Sequence, residues 1–443
     1  MKLYVSVRLK FAATLFIATV WFALCASLSR PWVDELALIV PHAAALFLVA
    51  TIALIPGFMY AFIVVSLIID RRPPLKPIDH YPALSVLIAA FNEEEQIQEC
   101  IESVLKQDYP AELEIIVIDD GSIDRTLSVL KSLPFPQIKI IAAKHGGKAN
   151  ALNLGLHAAK NDLLVTIDAD TYLYRNALQR IVGRLLADPV ETVAVAGAVL
   201  VRNSRSSMIA RMQEWDYFHG IAAAKRIQSL YQGTLVAQGA FSLFRKKAVL
   251  EAGGWPSKVG EDIVLTWALL KRGNRIGFAE DAICFTNVPS TYRIFYHQRR
   301  RWARGMIEGF KQHPEVLIRP RLSTFFIYWN LLFPVLDLVY LFVFLPGLVA
   351  ALFGYRFIAG PMTLAVLPLA LLMNYIVFYL QNNMFHSRGL IVRRNFGAFF
   401  WYALCYQMVM VPACVVGYLS EIMSLRKQWG TKWTPARVPG SPR

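Results

Sequence analysis

Between Glu35 and Asp70 the chain carries no Asp, Glu, Lys or Arg. So long an uncharged run, rich in Leu, Ile, Val and Phe, belongs in a bilayer; residues 43–69 are enough to cross one as a helix. Residues 11–28 are also uncharged, with Lys2, Arg8 and Lys10 before them, and Arg71, Arg72 and Lys76 follow the second run. Basic flanks at both outer ends suit two spans that leave and return to the cytoplasm. The other reading of the first run is a cleaved signal peptide with small residues at Ala23 to Ser27; the adjacent second span favours an uncleaved helix.

Three more apolar runs lie near the C-terminus, at 325–345, 362–380 and 399–419, with Asp337 inside the first. His386, Arg388, Arg393 and Arg394, between the last two, suit the cytoplasm. Three spans after a cytoplasmic domain would put the C-terminus outside, whereas Arg426, Lys427, Lys432, Arg437 and Arg443 favour inside. One run lying in the membrane interface, or one further span, would remove the conflict. The formal charge of +15 fits anionic lipid better than nucleic acid, because no zinc-knuckle spacing or basic low-complexity tail accompanies it. The five cysteines are scattered, with no Cys-x-x-Cys, so neither a disulfide framework nor a thiolate metal site is expected.

Residues 81–320 have the character of a water-exposed domain. Runs at 84–90, 113–119, 138–142, 163–168 and 193–201 predict buried strands, and 94–106, 123–131, 148–159 and 175–186 predict helices between them. Such alternation predicts a mainly parallel mixed sheet with helices on both faces, with ligands beyond the carboxyl ends of its strands. Acidic residues stand at two of those ends.

Asp168-Ala-Asp170 follows one strand. Two carboxylates so spaced can share a hard divalent cation, which offsets the charge of a departing nucleoside diphosphate; alone they are as well explained by capping of the next helix. Asp119-Asp120-Gly121-Ser122 follows another strand; it suits a tight turn, and a carboxylate there can also accept the ring N–H of uracil. Asn92 and Glu93 close the first strand and border the same edge, with Asn92 expected as an N-cap. Gly146-Gly147-Lys148 brings a lysine to a helix start, where phosphate is favoured. Gly260-Glu261-Asp262 opens an apolar helix at 263–270, as a cap or as a general base for an acceptor hydroxyl. Gln238 and Gly239 lie in a small-residue loop where an acceptor can approach backbone. In Gln298-Arg299-Arg300-Arg301-Trp302, helical spacing sets Gln298, Arg301 and Trp302 on one face, suited to phosphate and a sugar ring. The competing reading is a basic helix on anionic lipid, with Arg299, Arg300 and Arg304 facing it. Residues 206–232 have Met208, Ile209, Met212, Trp215, Phe218 and Ile221 at helical spacing, expected to lie beneath the membrane.

Taken in order from residue 84 to Trp302, these motifs resemble the processive, membrane-bound family 2 glycosyltransferases, which include poly-N-acetylglucosamine, hyaluronan, chitin-oligosaccharide and cellulose synthases. The set Asp119-Asp120-Gly121, Gly147-Lys148-Ala149, Asp168-x-Asp170, Glu261-Asp262 and Gln298-x-x-Arg301-Trp302 is specific as an ordered series. The resemblance implies an α/β GT-A domain embedded between transmembrane helices, inverting transfer and β linkages. It implies that Asp119 or Asp120 binds uracil, Lys148 the diphosphate, Asp168 the nucleotide, and Asp170, with Asp168 beside it, Mg2+ or Mn2+. Asp262 would be the general base; Gln298, Arg301 and Trp302 would hold donor pyrophosphate and acceptor terminus, with Gln238, Gly239 and Glu261 beside them. The implied divisions are 1–70 (two spans), 71–290 (cytosolic GT-A domain), 291–322 (amphipathic interface region), 323–420 (about three spans) and 421–443 (basic tail). Implied partners are a UDP-sugar donor, a growing polysaccharide, the bilayer of the inner (plasma) membrane and a small accessory membrane subunit. Size and layout look most like the poly-N-acetylglucosamine branch, so UDP-N-acetylglucosamine is the first expected donor and UDP-glucose the second. Transfer of one sugar to a lipid carrier is the alternative, and a non-enzymatic membrane protein on the same scaffold is a third.

Overall fold

A computed structural model describes residues 5–70, 78–387, 389–391 and 395–425. Lys2, Arg71, Arg72, Lys76, Arg388, Arg393, Arg394 and the basic residues from Arg426 onward lie outside them.

Five helices among the described residues are long and apolar enough to cross a membrane: α1 (Val7–Leu28) and α2 (His42–Ile69), then Leu322–Leu352, Pro361–Ser387 and Phe396–Ile422. This is the two-plus-three arrangement the apolar runs predict. α1 packs against α2, with Phe11 edge-on to Phe62 at 5.7 Å.

Between these groups one eight-stranded sheet runs in the order β3-β2-β1-β4-β7-β6-β8-β5. Its strands are β1 (Leu84–Ala90), β2 (Leu113–Asp119), β3 (Ile138–Ala142), β4 (Leu163–Asp168), β5 (Thr171–Leu173), β6 (Thr192–Val201), β7 (Phe241–Arg245) and β8 (Arg275–Thr286). The four strands β1 to β4 are parallel. β7 is antiparallel to β4 and to β6, whereas β6 and β8 are parallel. The sheet is therefore mixed, with its parallel half where apolar runs alternate with helices α3 (Ile97–Leu105), α4 (Thr126–Ser132), α5 (Lys148–Ala158) and α6 (Ala177–Ala187).

Both faces are covered. Val86, Ile88, Val117 and Val165 meet Ile101, Val104, Leu178 and Ile181 on one side. Leu87, Ile116, Ile118 and Leu164 meet Leu152 and Leu156 on the other, in a core that continues without a break through Tyr231 and Trp267 into Phe62 and Phe326 of the apolar helices. Full burial of such a side chain contributes about 1.5–3 kcal/mol.

Residues 208–230 form one helical run, α7: Met208–Trp215, a π-helical stretch Asp216–Ile221, then Ala222–Leu230. It lies against the apolar helices. Trp215 meets Phe399 at 5.0 Å, and the Tyr231 hydroxyl just beyond it is 3.0 Å from that of Thr14. Buried Arg226 donates to Asp70 at 2.7 Å and to Gln381 at 3.0 Å, tying the end of α2 to the penultimate apolar helix. α8 (Glu261–Lys271) and α9 (Tyr292–Gln312) complete the central part, and the last three apolar helices are α10 (Leu322–Leu352), α11 (Pro361–Ser387) and α12 (Phe396–Ile422).

Candidate active site

Strand register builds the acidic edge. Ala90 pairs with Asp119 on one side of β1, and Ala89 pairs with Asp168 on the other. Both acidic motifs thus leave the sheet at one level. β7 enters there in the opposite direction, with Phe241 beside Ile167, which sets Gln238 and Gly239 next to Asp168. β8 ends there too, with Thr286 opposite Thr171.

The loops above β1, β2 and β3 interlock. Asp120 accepts hydrogen bonds from the N–H groups of Gly146 (2.9 Å) and Gly147 (2.8 Å), and its carboxylate lies 2.9 Å from His145 Nδ1. Gly121 has a φ of +71°, and a Cβ there would lie 2.6 Å from the His145 nitrogen, so this turn requires glycine. Asp120 is therefore occupied in holding the 145–147 loop. Asp119 Oδ1 is buried with no hydrogen-bond partner, and it is the better placed of the two to accept an N–H from a ligand. Asn92 does not cap a helix as expected. Helix α3 begins at Ile97 with Gln96 at its N-cap, and Asn92, at a φ of +56°, accepts from the Ile123 N–H at 2.9 Å. Its side chain braces the β2 loop because four residues still separate it from the first helical residue. Glu93 N–H donates to Thr126 Oγ1 at 2.8 Å in the same brace.

A cavity of about 370 Å³ opens beside this edge. Asp168, Asp170, Lys148, Gln238, Gly239, Glu261, Asp262, Gln298, Arg301 and Trp302 all line it. Residues from five separate stretches of chain are thus brought together as the motif series predicts. Asn92, Glu93, Asp119 and Asp120 do not line this cavity; they lie at the adjoining strand ends.

Within the cavity, Lys148 is ion-paired with Asp168 and lies 3.5 Å from Glu261. Burial opposes its charge, but Asp168, Glu261 and Asp262 outweigh that and raise its pKa. Gly239 lies directly beneath it, where a Cβ would collide with Lys148 Nζ. Burial, then Asp168 and Glu93, push Asp170 up to about 7. Burial also raises Glu261 to about 7, against the pull of Lys148. Asp262 accepts from the Ile263 N–H at 2.8 Å and from the Gly239 N–H at 3.4 Å, in the first turn of α8, where negative charge is favoured.

The donor set suits a hard cation. Asp168 and Asp170 are oxygen ligands facing one cavity, with Thr286 Oγ1 3.4 Å from Asp170. A nearby cation would relieve the repulsion that raises Asp170. No cluster of three or more His, Cys, Asp or Glu occurs among the described residues, so phosphate oxygens and water would complete the coordination.

Helix α9 carries Gln298, Arg301 and Trp302 on its cavity face. The expectation that Arg299 and Arg304 face lipid is overturned. Arg299 is 3% exposed and pairs with Asp216 at 2.9 Å, while Arg304 is 4% exposed and pairs with Glu421 at 2.8 Å. Both partners are far away in sequence, so only the fold reveals them. The Arg299 guanidinium also lies 4.1 Å from the centre of the Trp302 ring. Two glycine contacts hold α9 in place. A Cβ on Gly305 would lie 2.8 Å from the Gly260 Cα, and one on Gly417 would lie 2.5 Å from the Arg300 carbonyl oxygen. Sequence reading passed over Gly260 and Gly305 as neighbours, and missed Lys225 as a cavity residue; a lone lysine in the apolar stripe of α7 is its only trace.

Residues 85–253 match the family described as Glycosyl transferase family 2. This stretch is a family 2 glycosyltransferase domain. Its chain is 34% identical over 259 residues to a poly-beta-1,6-N-acetyl-D-glucosamine synthase of Staphylococcus aureus, covering 58% of this chain and 60% of that one. It is 35% identical over 246 residues to the synthase of that name from Staphylococcus epidermidis, covering 54% and 57%. The chain thus spans less than two thirds of each relative's length. In fold it resembles a mannosyltransferase from Pyrobaculum calidifontis, solved in complex with GDP-Man and Mn2+, with a TM-score of 0.61 and 20% identity over 86% of this chain and 99% of that one. That likeness bears out the GT-A fold.

Proposed function

We propose that the protein is an inverting, processive glycosyltransferase that extends a β-linked polysaccharide from a UDP-sugar at the cytosolic face of the inner membrane. One observation carries this reading: Asp262 shares a single cavity with the Asp168/Asp170 pair and with Gln298, Arg301 and Trp302. Gly239 stands between Asp262 and Asp168, contacting the first through its N–H and underlying the Lys148 ammonium that pairs with the second. A sugar seated over Gly239 has a base on one side and a leaving-group site on the other, as single displacement requires. Asp262 takes the proton of an acceptor hydroxyl, the oxygen bonds to the anomeric carbon, and the bond to the diphosphate breaks as UDP departs.

Asp168 and Asp170 would hold Mg2+ or Mn2+, which supplies charge stabilisation for the departing diphosphate. Lys148 and Arg301 add positive charge, Asp119 accepts the uracil N–H, and Asn92 and Glu93 shape the loop around the base. Asp120 and Glu261 act by position, the first on the 145–147 loop and the second on Lys148. Gln298 and Trp302 seat the acceptor terminus, and the product leaves between the apolar helices. The staphylococcal relatives support UDP-N-acetylglucosamine as donor; UDP-glucose is the second choice.

The test is the purified full chain in lipid nanodiscs with labelled UDP-N-acetylglucosamine or UDP-glucose and Mg2+ or Mn2+. Polymer of increasing length is expected. Single-sugar lipid products alone would sink the polymer reading, and turnover untouched by Asp170→Ala would sink the metal assignment.

A further inference from the structure

Lys225 lines the cavity but has no part in the chemistry above. It is 9% exposed, and its Nζ donates to the Val236 carbonyl at 2.9 Å. Among the described residues no carboxylate is close enough to form an ion pair with it. Burial lowers its pKa to about 7, with Asp262 opposing the shift, so it lies within the field of the proposed base. At least one further N–H remains for whatever occupies the cavity, whether the amine is charged or neutral.

Gln238 supplies the opposite polarity nearby. Its Nε2 donates to the carbonyls of Gly197 and Phe241, which fixes the orientation of the amide. Its Oε1 is buried with no hydrogen-bond partner. Between and around these groups the cavity wall is apolar: Ala198, Ile221, Val236 and Phe278.

A buried donor, a buried orphaned acceptor and an apolar wall are the complement of an acetamido group, which offers a carbonyl oxygen, an N–H and a methyl. A hydroxyl at the same carbon can also donate and accept, but it must do both from one oxygen and has no methyl to cover the apolar wall, which it would leave facing water. We propose that Lys225 and Gln238 form an acetamide-reading subsite beside Asp262, so that the sugar unit held there as acceptor is a 2-acetamido sugar and Lys225 helps to select it. This rests on the transferase reading and deepens it by naming the acceptor class.

The experiment uses the full chain in nanodiscs and β-linked tetrasaccharides that differ only at carbon 2, carrying acetamido, amino or hydroxyl groups. Direct titration of the wild-type chain should show the acetamido form binding about tenfold tighter than the other two. In UDP-release assays, Lys225→Met should shrink the acetamido preference in kcat/KM by about tenfold, chiefly through KM, and Lys225→Arg should restore part of it. Equal wild-type affinities overturn the subsite, as does a Lys225→Met preference equal to the wild type's. The titration needs neither a variant nor turnover, so it decides the matter even if no UDP-sugar is consumed. Turnover that persists while carbon 2 goes unread sinks this inference alone.

Discussion

The two halves of the cavity are built by different means. The half proposed for the donor stands on strand ends: Asp168 in the cavity and Asp119 at its border reach one level because β2 and β4 pair with β1 in matched register. The half proposed for the acceptor stands on helix packing: α8 offers Asp262, α9 offers Gln298, Arg301 and Trp302, and α7 offers Lys225. Backbone hydrogen bonds fix the first independently of distant chain. Buried charge pairs and glycine contacts with the apolar helices fix the second. The donor half should therefore survive damage that disables the acceptor half.

Asp262→Asn would test the chemistry most severely. Loss of the proposed general base should lower kcat about 10²- to 10⁴-fold while UDP binding, measured by calorimetry, stays near wild type. Weakened UDP binding to the same degree would mean that the halves are not separable. Arg299→Met leaves the half-buried Asp216 without its charge partner and with only the Tyr406 hydroxyl donating to it, a loss of about 1–3 kcal/mol, and frees the Trp302 ring. Thermal unfolding should show the loss, and acceptor KM should rise more than donor KM. Gly305→Ala forces α9 away from the start of α8 at about 1–3 kcal/mol. It should shorten the product; polymer of unchanged length would show that α9 tolerates the shift.

The smallest effect is one of pH. Burial lowers His219, in the π-helical part of α7, to about 4, below its ordinary 6.5. The folded chain thus binds fewer protons than the unfolded one between those values. Stability is full above pH 6.5 and falls as pH drops through that window, by about 1 kcal/mol at pH 5.5. His219→Phe should flatten this slope in melting curves, and an unchanged slope would move the source elsewhere.

The same contrast explains what the sequence made legible. The parallel strands announce themselves as short apolar runs, which burial in the middle of the sheet demands of β1, β2 and β4, while edge strand β3 is exposed enough to carry Lys139; 84–90, 113–119, 138–142 and 163–168 are bounded as expected. β8 escaped notice because Glu280 and Asp281 interrupt it where its pairing with β6 shifts register. β7 escaped because five residues with a serine among them resemble a loop. The motif residues could be named, but Asp119 could not be told from Asp120 without the Gly146 and Gly147 amides, which only the folded turn aims at Asp120. Arg299 and Arg304 looked like lipid-facing charge because nothing local signals Asp216 or Glu421.

The core that runs unbroken from Leu87 through Tyr231 to Phe62 and Phe326 bears on how this protein is made in a cell. A catalytic half cut free of its apolar helices would carry a raw oily flank, with the Tyr231 and Trp267 rings stripped of their cover. Maturation of the active cavity must then wait for the last helix to be threaded and docked, since Gly417 is among the final pieces to touch α9. A ribosome stalled shortly before that helix would hold a chain with its strand-end loops formed and its α9 face still unfixed.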